Sequence, residues 1–449
     1  MGTDTVRTQP ADEAGERRRE QHGWYFYDWA CSVYSTSVLT VFLGPYLTSV
    51  AESAADADEF VHPLGVPVRA GSFFAYSVSL SVVLAVVVMP LVGSAADRTG
   101  RKKPLLGAAA YVGAAATTGM FFLDGDRYLL GGVLLVVANA AQSVAMMLYN
   151  SYLPQIAPPA ERDAVSSRGW AFGYAAGSLV LIANLVLYSA HDTFGLSETA
   201  AVRVCLASAG LWWGAFTLVP LRRLRDRRTK TARQATAPGL RQLAATVRDM
   251  RRHPLTLAFL LAYLVYNDGI QTVISQASVY GSEELGLGQS TLITAVLLVQ
   301  MLAVAGAVAM GRLARTYGAK RTILGSLVAW TVTLGAGYFL PAGAPVWFFV
   351  LAAGIGLVLG GSQALSRSLF SHLVPPGKEA EYFSAYEMSD RGMSWLGPLL
   401  FGVTYQLTGS YRSAIISLVA FFVIGFTLLA RVPVRRAIGE AGNPVPEKI

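Results

Sequence analysis

Long apolar stretches alternate with short polar segments along the whole chain. A helix needs about 20 apolar residues to cross the roughly 30 Å of hydrocarbon in a bilayer. Twelve stretches reach that length, at residues 23–47, 72–94, 104–123, 128–152, 168–190, 200–221, 255–281, 290–313, 321–341, 345–372, 382–408 and 411–431. The pattern predicts an all-α integral membrane protein with twelve transmembrane helices, which we number as spans one to twelve in chain order.

Composition and charge support a membrane protein and indicate its orientation. Charged residues make up only 14% of the chain, against about a quarter in soluble proteins. The amino terminus, alternate loops and carboxyl tail hold 30 of the 36 Lys and Arg residues, and the opposite loops hold Arg69, Arg127, Arg203 and Arg412. Because cytoplasmic loops retain positive charge, we expect both termini in the cytoplasm and the protein in the cell membrane. The net charge of +8 then reflects topology and indicates no nucleic-acid partner.

A basic segment divides the chain in the middle. We expect a cytoplasmic tail (1–22), a six-helix bundle (23–221), a linker (222–253), a second six-helix bundle (254–431) and a second cytoplasmic tail (432–449). The linker carries eleven basic residues and places Leu240, Leu243, Val247 and Met250 on one helical stripe. This pattern is typical of a helix resting on anionic lipid headgroups, and a regulatory or partner-binding role is the alternative.

Residues of the first half recur in the second half at nearly constant offsets. These pairs are Gly93 with Gly311, Gly100 with Gly318, Lys102 with Lys320, Gln142 with Gln363, and Arg168 with Arg391. Duplicated halves are typical of transporters. The sequence therefore predicts two pseudo-symmetric six-helix bundles.

The short loop after span two carries a recognisable motif, formed by Gly93, Asp97, Arg98, Gly100, Arg101 and Lys102. It resembles the signature loop of the major facilitator superfamily, whose members are twelve-helix secondary transporters. The resemblance implies that Asp97 lies near the cytoplasmic start of span eleven, where it favours the positive end of the helix dipole and stabilises the outward-open state. A plain basic turn is the alternative, and the second copy of the loop has Arg315 in place of the acid.

Four further segments narrow the resemblance. They are "YDWACSVYST" (27–36), "YNDGIQT" (266–272), "GGSQALSRSLF" (360–370) and "YEMSDRGMSWLGPLLFG" (386–402). They resemble the branch that contains the fungal autophagy-linked vacuolar amino-acid effluxers and their bacterial relatives, with Cys31 where that branch has Asn. The similarity runs from Trp24 to Arg431 and implies amino-acid efflux.

Span eleven contains three charges on one helical face, Glu387, Asp390 and Arg391, in line with Ser394. A charged side chain at the bilayer centre costs about 2.5 to 3.5 kcal/mol on insertion scales, so this face must point into the bundle or towards water. The four-residue spacing of Glu387 and Arg391 permits an ion pair. We interpret the three residues as a gate; a static pair and direct substrate contact are the alternatives.

Amide side chains and one arginine form similar stripes in other spans. They are Asn139, Gln142 and Asn150 in span four, Asn267 and Gln271 in span seven, and Gln363 and Arg367 in span ten. We expect these residues to line a central substrate cavity. A guanidinium binds a carboxylate through two hydrogen bonds, so Arg367 is the candidate for an amino-acid carboxylate; neutralising Asp390 is its alternative role.

Asp28 and Asp268 are the candidates for proton coupling, because no basic residue lies within one helical turn of either. Coupling requires a buried carboxylate whose partner changes between the inward and outward states. A structural hydrogen bond at a helix bend is the alternative for both.

The sequence does not indicate an enzyme. All five His residues fall in loops or at span ends, and we find no metal-ligand spacing and no phosphate-binding loop. We therefore expect no cofactor and no metal, and predict a monomeric secondary transporter that moves a small polar solute, favouring amino-acid efflux, with protons and by alternating access. A drug or sugar transporter of the same fold and a non-transporting receptor or scaffold are the alternatives.

Overall fold

The computed structural model describes residues 10–227, 248–391 and 396–449. The first half contains α1 (Pro10–Val33), α2 (Leu43–Ser53), α3 (Phe73–Thr99), α4 (Lys102–Gly119), α5 (Tyr128–Asn150), α6 (Leu153–Ile156), α7 (Arg162–Ser189) and α8 (Glu198–Arg223). A π-helix, Tyr34–Phe42, joins α1 to α2, and a short hairpin of β1 (Phe60–Val61) and β2 (Val68–Arg69) precedes α3.

The second half contains α9 (Pro254–Val279), α10 (Gln289–Tyr317), α11 (Ala319–Tyr338), α12 (Pro345–His372), α13 (Glu379–Arg391), α14 (Leu396–Thr408), α15 (Tyr411–Ser417), α16 (Val419–Arg431) and α17 (Val434–Glu440). The stripe of Leu240, Leu243 and Val247 predicted in the linker lies outside the described residues.

Ten helical stretches in the described part of the chain are long and apolar enough to cross a membrane, and they coincide with spans one to eight, ten and twelve. Span nine corresponds to α11, which carries Lys320 and Arg321 in its first turn, and span eleven corresponds to α13 and α14. The predicted all-α fold with twelve transmembrane helices is confirmed.

The two halves pack in equivalent ways. In the first half α1 packs against α7 and α8, and in the second half the corresponding helix α9 packs against α13, α14 and α16. The contacts between the halves are also equivalent. Helix α3 contacts α13, and α7, the counterpart of α13, contacts α10, the counterpart of α3. The predicted pseudo-symmetric pair of bundles therefore appears in the helix contacts.

Span one is longer than the apolar pattern predicts. The helix begins at Pro10 rather than near residue 23. Its polar extension is held by partners from elsewhere in the fold: Gln21 Nε2 donates to the carbonyl of Ile156 at 3.1 Å, and Arg225 donates to both carboxylate oxygens of Glu16. Hydropathy places the start of the span at its first apolar residue, but these contacts extend the helix towards the amino terminus from there.

Glycines set the closest helix approach in the second half. A Cβ added at Gly360 would lie 2.3 Å from the carbonyl oxygen of Ala303, and one added at Gly306 would lie 2.2 Å from that of Leu357. Small residues allow membrane helices to approach with their backbones almost in contact. The packing of α10 on α12 therefore depends on glycine at both positions.

We predict that Gly360→Ala lowers the free energy of unfolding by about 1 to 3 kcal/mol, because the new methyl group collides with backbone that has no free rotation. Thermal unfolding of the purified protein in detergent measures the effect. Gly335→Ala in α11 is the matched control, since nothing lies within 4 Å of an added Cβ there. Equal unfolding midpoints for the two variants would contradict the role of Gly360.

Candidate functional site

Arg367 reaches from α12 in the second half into the first half, and only 1% of the residue is exposed. Its Nε donates to Ser166 Oγ at 2.9 Å, and its Nη2 donates to the Ser166 carbonyl at 2.8 Å. Nη1 donates to Asn150 Oδ1 at 3.2 Å. The guanidinium also forms an ion pair with Asp28, with 3.4 Å between Nη1 and Oδ2. One side chain thus connects α12 to α1, α5 and α7.

Aromatic rings complete the pocket around this guanidinium. The distances from Arg367 Cζ to the ring centroids are 4.7 Å for Trp24, 5.3 Å for Trp170 and 5.6 Å for Tyr149. A cation facing an aromatic ring is attracted by the ring quadrupole, more strongly where water is excluded. Gly169 leaves the necessary space, because a Cβ there would lie 2.7 Å from both Asp28 Oδ2 and the ring of Trp24.

Asp28 is therefore not isolated from basic residues. Its ion-pair partner comes from span ten, and the hydroxyl of Tyr149 donates to Asp28 Oδ2 at 2.6 Å. The alternative role predicted for Arg367 is to neutralise Asp390. In the structure its ion-pair partner is Asp28. A search for bases within one helical turn misses a partner that lies 339 positions away.

The two acids of span eleven have different surroundings. Glu387 Oε1 accepts a hydrogen bond from Asn150 Nδ2 at 2.6 Å, which is another contact between the halves. Asp390 Oδ1 accepts from Tyr263 at 2.9 Å and from Asn267 Nδ2 at 2.6 Å, both on α9. The predicted ion pair of Glu387 with Arg391 stays a prediction, since the Arg391 side chain and Ser394 lie outside what the structure describes.

The predicted cavity amides divide between two groups. Gln363 Nε2 donates to Asn267 Oδ1 at 2.7 Å, so these two residues and Asp390 form one chain within the second half. In the first half, Asn139 donates to Ser81 at 2.6 Å and Gln142 donates to Ser35 at 2.7 Å. Gln271 is partly exposed. Asn150 and Arg367 form hydrogen bonds across the two halves.

Asp268 lies apart from this network. Its Oδ2 accepts the backbone N–H of Gly397 at 2.8 Å, and within the described residues its Oδ1 has no hydrogen-bond partner. Its main-chain carbonyl accepts from the Thr272 hydroxyl at 2.7 Å. Asp268 therefore connects α9 to α14 within the second half.

The loop after α3 contacts the start of α13. Asp97 Oδ2 accepts the backbone N–H of Glu381 at 2.9 Å, the position that the family resemblance implies. Lys102 Nζ lies 3.0 Å from both Asp97 Oδ1 and Glu379 Oε2. Gly93 allows the approach, because a Cβ there would lie 2.8 Å from the carbonyl oxygen of Ala380. An acid at a helix N-terminus is stabilised by the helix dipole.

Other residues of the loop have simpler roles in the structure. Gly100 ends α3 with a φ of +63°, a conformation that favours glycine. Arg98 Nε donates to the Ser94 carbonyl at 3.4 Å, and Arg101 is exposed. Glu379, the first residue of α13, precedes the apolar stretch 382–408, and burial acts to raise its pKa. The Lys102 ammonium and the Gly377 N–H outweigh burial and hold the pKa of Glu379 below its ordinary value.

The comparison with protein families decides the identity. The model of the family described as "Vacuole effluxer Atg22 like" matches residues 16–442, nearly the whole chain. The chain belongs to this family. Relatives match over most of their length: the uncharacterized MFS-type transporter YxiO of Bacillus subtilis is 30% identical over 95% of this chain and 98% of its own. Autophagy-related protein 22 of Yarrowia lipolytica is 28% identical over 84% of this chain and 78% of its own.

Solved structures show the same fold at low identity. The fucose transporter FucP, crystallised in the outward conformation, superimposes with a TM-score of 0.68 and 13% identity, covering 92% of this chain and 98% of its own. A bacterial homologue of the iron transporter ferroportin, in an outward-facing state, gives a TM-score of 0.65 and 15% identity. This Atg22-like chain is thus a major facilitator superfamily transporter, as the sequence predicted, and not an enzyme.

The sequence analysis of this Atg22-like chain missed a row of contacts between α7 and α12. Arg162 Nη1 donates to the Ser371 carbonyl at 2.9 Å, Ser368 donates to Asp163 Oδ1 at 2.6 Å, and Ser166 donates to the Ala364 carbonyl at 2.6 Å. The glycines at 169, 173 and 177 lie on one face of α7, but an added Cβ at each would meet first-half residues such as Asp28, Ser32 and Thr36. Their spacing therefore indicates packing on the first span and gives no signal for the contacts with α12.

The hydrogen bonds described between the halves gather at one end of the molecule. We call it the basic end, because the loops at 97–103 and 317–321 are rich in Lys and Arg; the segments 150–162 and 372–379, with Arg162 and Lys378, lie at the same end. A contact farther from this end joins Gln300 to Thr36 at 3.0 Å. The structure is therefore closed at the basic end.

We predict that Arg367→Gln destabilises the protein by about 3 to 5 kcal/mol, because it leaves the buried Asp28 carboxylate without its cation. The double variant Asp28→Asn/Arg367→Gln should recover a large part of this loss, since both charges are then removed. Denaturant unfolding in detergent micelles measures the stability of each single variant and of the double variant, with Arg101→Gln as the exposed control. A double variant as unstable as the sum of the two single variants would show that the two charges do not interact.

Proposed function

We propose that this Atg22-like transporter exchanges amino acids for protons across the membrane by alternating access, with efflux as its working direction. The observation that carries the proposal is the buried pair of Asp28 and Arg367, whose members belong to different halves. The basic end would face the cytoplasm, in keeping with its positive charge.

The pair supports a zwitterionic substrate. When the basic end opens, Asp28 and Arg367 separate, and each leaves a charge that is costly to keep unpaired in a buried site. An amino acid offers an ammonium group to the carboxylate and a carboxylate to the guanidinium. In the closed state the Arg367 donors are taken by Ser166, Asn150 and Asp28, so binding at Arg367 requires opening. A sugar carries neither charge, and a cationic drug carries one.

Asp28 is the better of the two coupling candidates. Its ion-pair partner belongs to the opposite half and would separate from it when the basic end opens, whereas the described partner of Asp268, the Gly397 N–H, belongs to its own half. Coupling needs a differential interaction between the two states. A proton and a substrate ammonium would compete for the same carboxylate, and this competition makes exchange obligatory.

The remaining contacts between the halves would act as the gate. Asp97 with the Glu381 N–H, Lys102 with Glu379, and Asn150 with Glu387 hold the basic end closed. Each hydrogen bond contributes about 1 kcal/mol net, because water replaces it when the end opens. Several weak bonds of this kind can form and break within one transport cycle.

Flux measurements in proteoliposomes test the proposal, using an imposed pH gradient, a panel of amino acids and an internal pH dye. The wild type should move an amino acid and protons in opposite directions. Asp28→Asn should abolish proton movement and slow amino-acid exchange at least about tenfold, as expected for losing a hydrogen-bonded charge pair. Asp268→Asn should keep coupled exchange.

Asp56→Asn is the control, because Asp56 lies in an exposed loop and pairs with His62. Uncoupling by Asp268→Asn with unchanged coupling in Asp28→Asn would overturn the assignment of the coupling acid. Transport of sugars in place of amino acids would overturn the substrate class. A folded protein that moves neither solute nor proton would support a receptor or scaffold.

A further inference from the structure

We propose that Tyr149 is a positioning residue for Asp28, which it holds by one carboxylate oxygen so that Oδ1 is the atom that accepts the coupling proton. The inference rests on the proposed role of Asp28 in coupling. Neither the signature loop nor the segments that resemble the effluxer branch contain Tyr149.

All the described hydrogen bonds to the Asp28 carboxylate fall on the same oxygen. The Tyr149 hydroxyl donates to Oδ2 at 2.6 Å, and Arg367 donates to Oδ2 through Nη1 at 3.4 Å and Nη2 at 3.5 Å. Within the described part of the chain, no hydrogen bond reaches Oδ1. The short bond is the one from the phenol, so Tyr149 fixes the orientation of the carboxylate more tightly than Arg367 does.

Tyr149 is itself held rigidly. It is fully buried, and its ring stacks on Trp24 with centroids 4.3 Å apart and an interplanar angle of 15°. The indole Nε1 of Trp24 donates to the Tyr149 carbonyl at 2.9 Å. Trp24 lies one helical turn before Asp28 on α1. The ring stacking and the indole hydrogen bond therefore hold Tyr149 against α1, the helix that carries Asp28.

The surroundings of Asp28 contain few charges that could replace Tyr149. Arg367 faces it from α12, and α7 contributes Gly169 together with the ring of Tyr174. Glu387 on α13 reaches the cluster through Asn150, which donates to Glu387 and accepts from Arg367.

Tyr149→Phe keeps the stacked ring and removes only the hydroxyl. A hydrogen bond to the charged form of an acid favours that form, so its loss should make Asp28 take up a proton at higher pH. One hydrogen bond to a carboxylate corresponds to a shift of about one pH unit in the midpoint.

Infrared difference titration of the protein in nanodiscs tests the inference without requiring transport. The carboxyl band that disappears in Asp28→Asn identifies Asp28. Its titration midpoint should rise by about one pH unit in Tyr149→Phe and stay unchanged in Tyr27→Phe. Tyr27 is the matched control, since its ring lies 5.0 Å from that of Tyr149 but its hydroxyl has no described hydrogen bond to Asp28.

The outcomes separate the inference from the proposed function. An Asp28 band that titrates with the same midpoint in the wild type and in Tyr149→Phe overturns the role of Tyr149 and leaves coupling through Asp28 intact. Equal shifts in Tyr149→Phe and Tyr27→Phe also overturn it, because the hydroxyl of Tyr149 would then have no specific effect. If no band assigned to Asp28 titrates, both the inference and the coupling role of Asp28 are wrong.

Discussion

The burial of the Arg367 guanidinium is the constraint on which the arrangement of the two halves depends. A buried charge is tolerated only when it is paired and its hydrogen-bond donors are satisfied. Arg367 belongs to the second half, but its described partners, Asp28, Asn150 and Ser166, all belong to the first. The halves can therefore close at the basic end in one register only, the register that brings these groups to the guanidinium. Gly169 contributes by leaving room for the contact.

The same constraint explains how a stable closed end remains able to open. Other contacts between the halves include hydrogen bonds and ion pairs, such as those of Asp97, Arg162 and Glu387, and water can satisfy these groups after opening. Water cannot replace the contacts of interlocked apolar side chains in this way. Opening such an interface would cost the whole free energy of exposing its apolar surface to water. Polar contacts at the basic end are thus suited to an interface that breaks in every cycle.

Hydropathy predicted the helices, and the repeated glycine loop predicted the two bundles, because both depend on local sequence. The position of Asp97 at the start of α13 followed from a family motif. The partners within the site did not follow from the sequence. Helix periodicity assigns a polar residue to a face of its own helix but does not say which helix that face meets. Asp28 and Asp268 look alike in sequence, yet one meets Arg367 of the other half and the other meets the Gly397 N–H of its own.

The two repeats share glycine contacts with the opposite half and differ in the partners of their lysines. Gly93 lies against Ala380, and its counterpart Gly311 lies against Ser167, so each glycine lets a helix of one half approach the other half. Lys102 bonds to Glu379 across the halves, but the equivalent Lys320 donates to the carbonyls of Ala430 and Val432 in its own half. Steric fit at a helix crossing tolerates only glycine, whereas a lysine can serve any nearby acceptor. The duplicated fold therefore keeps its symmetry where a glycine meets the opposite half and loses it where a long side chain can reach different partners.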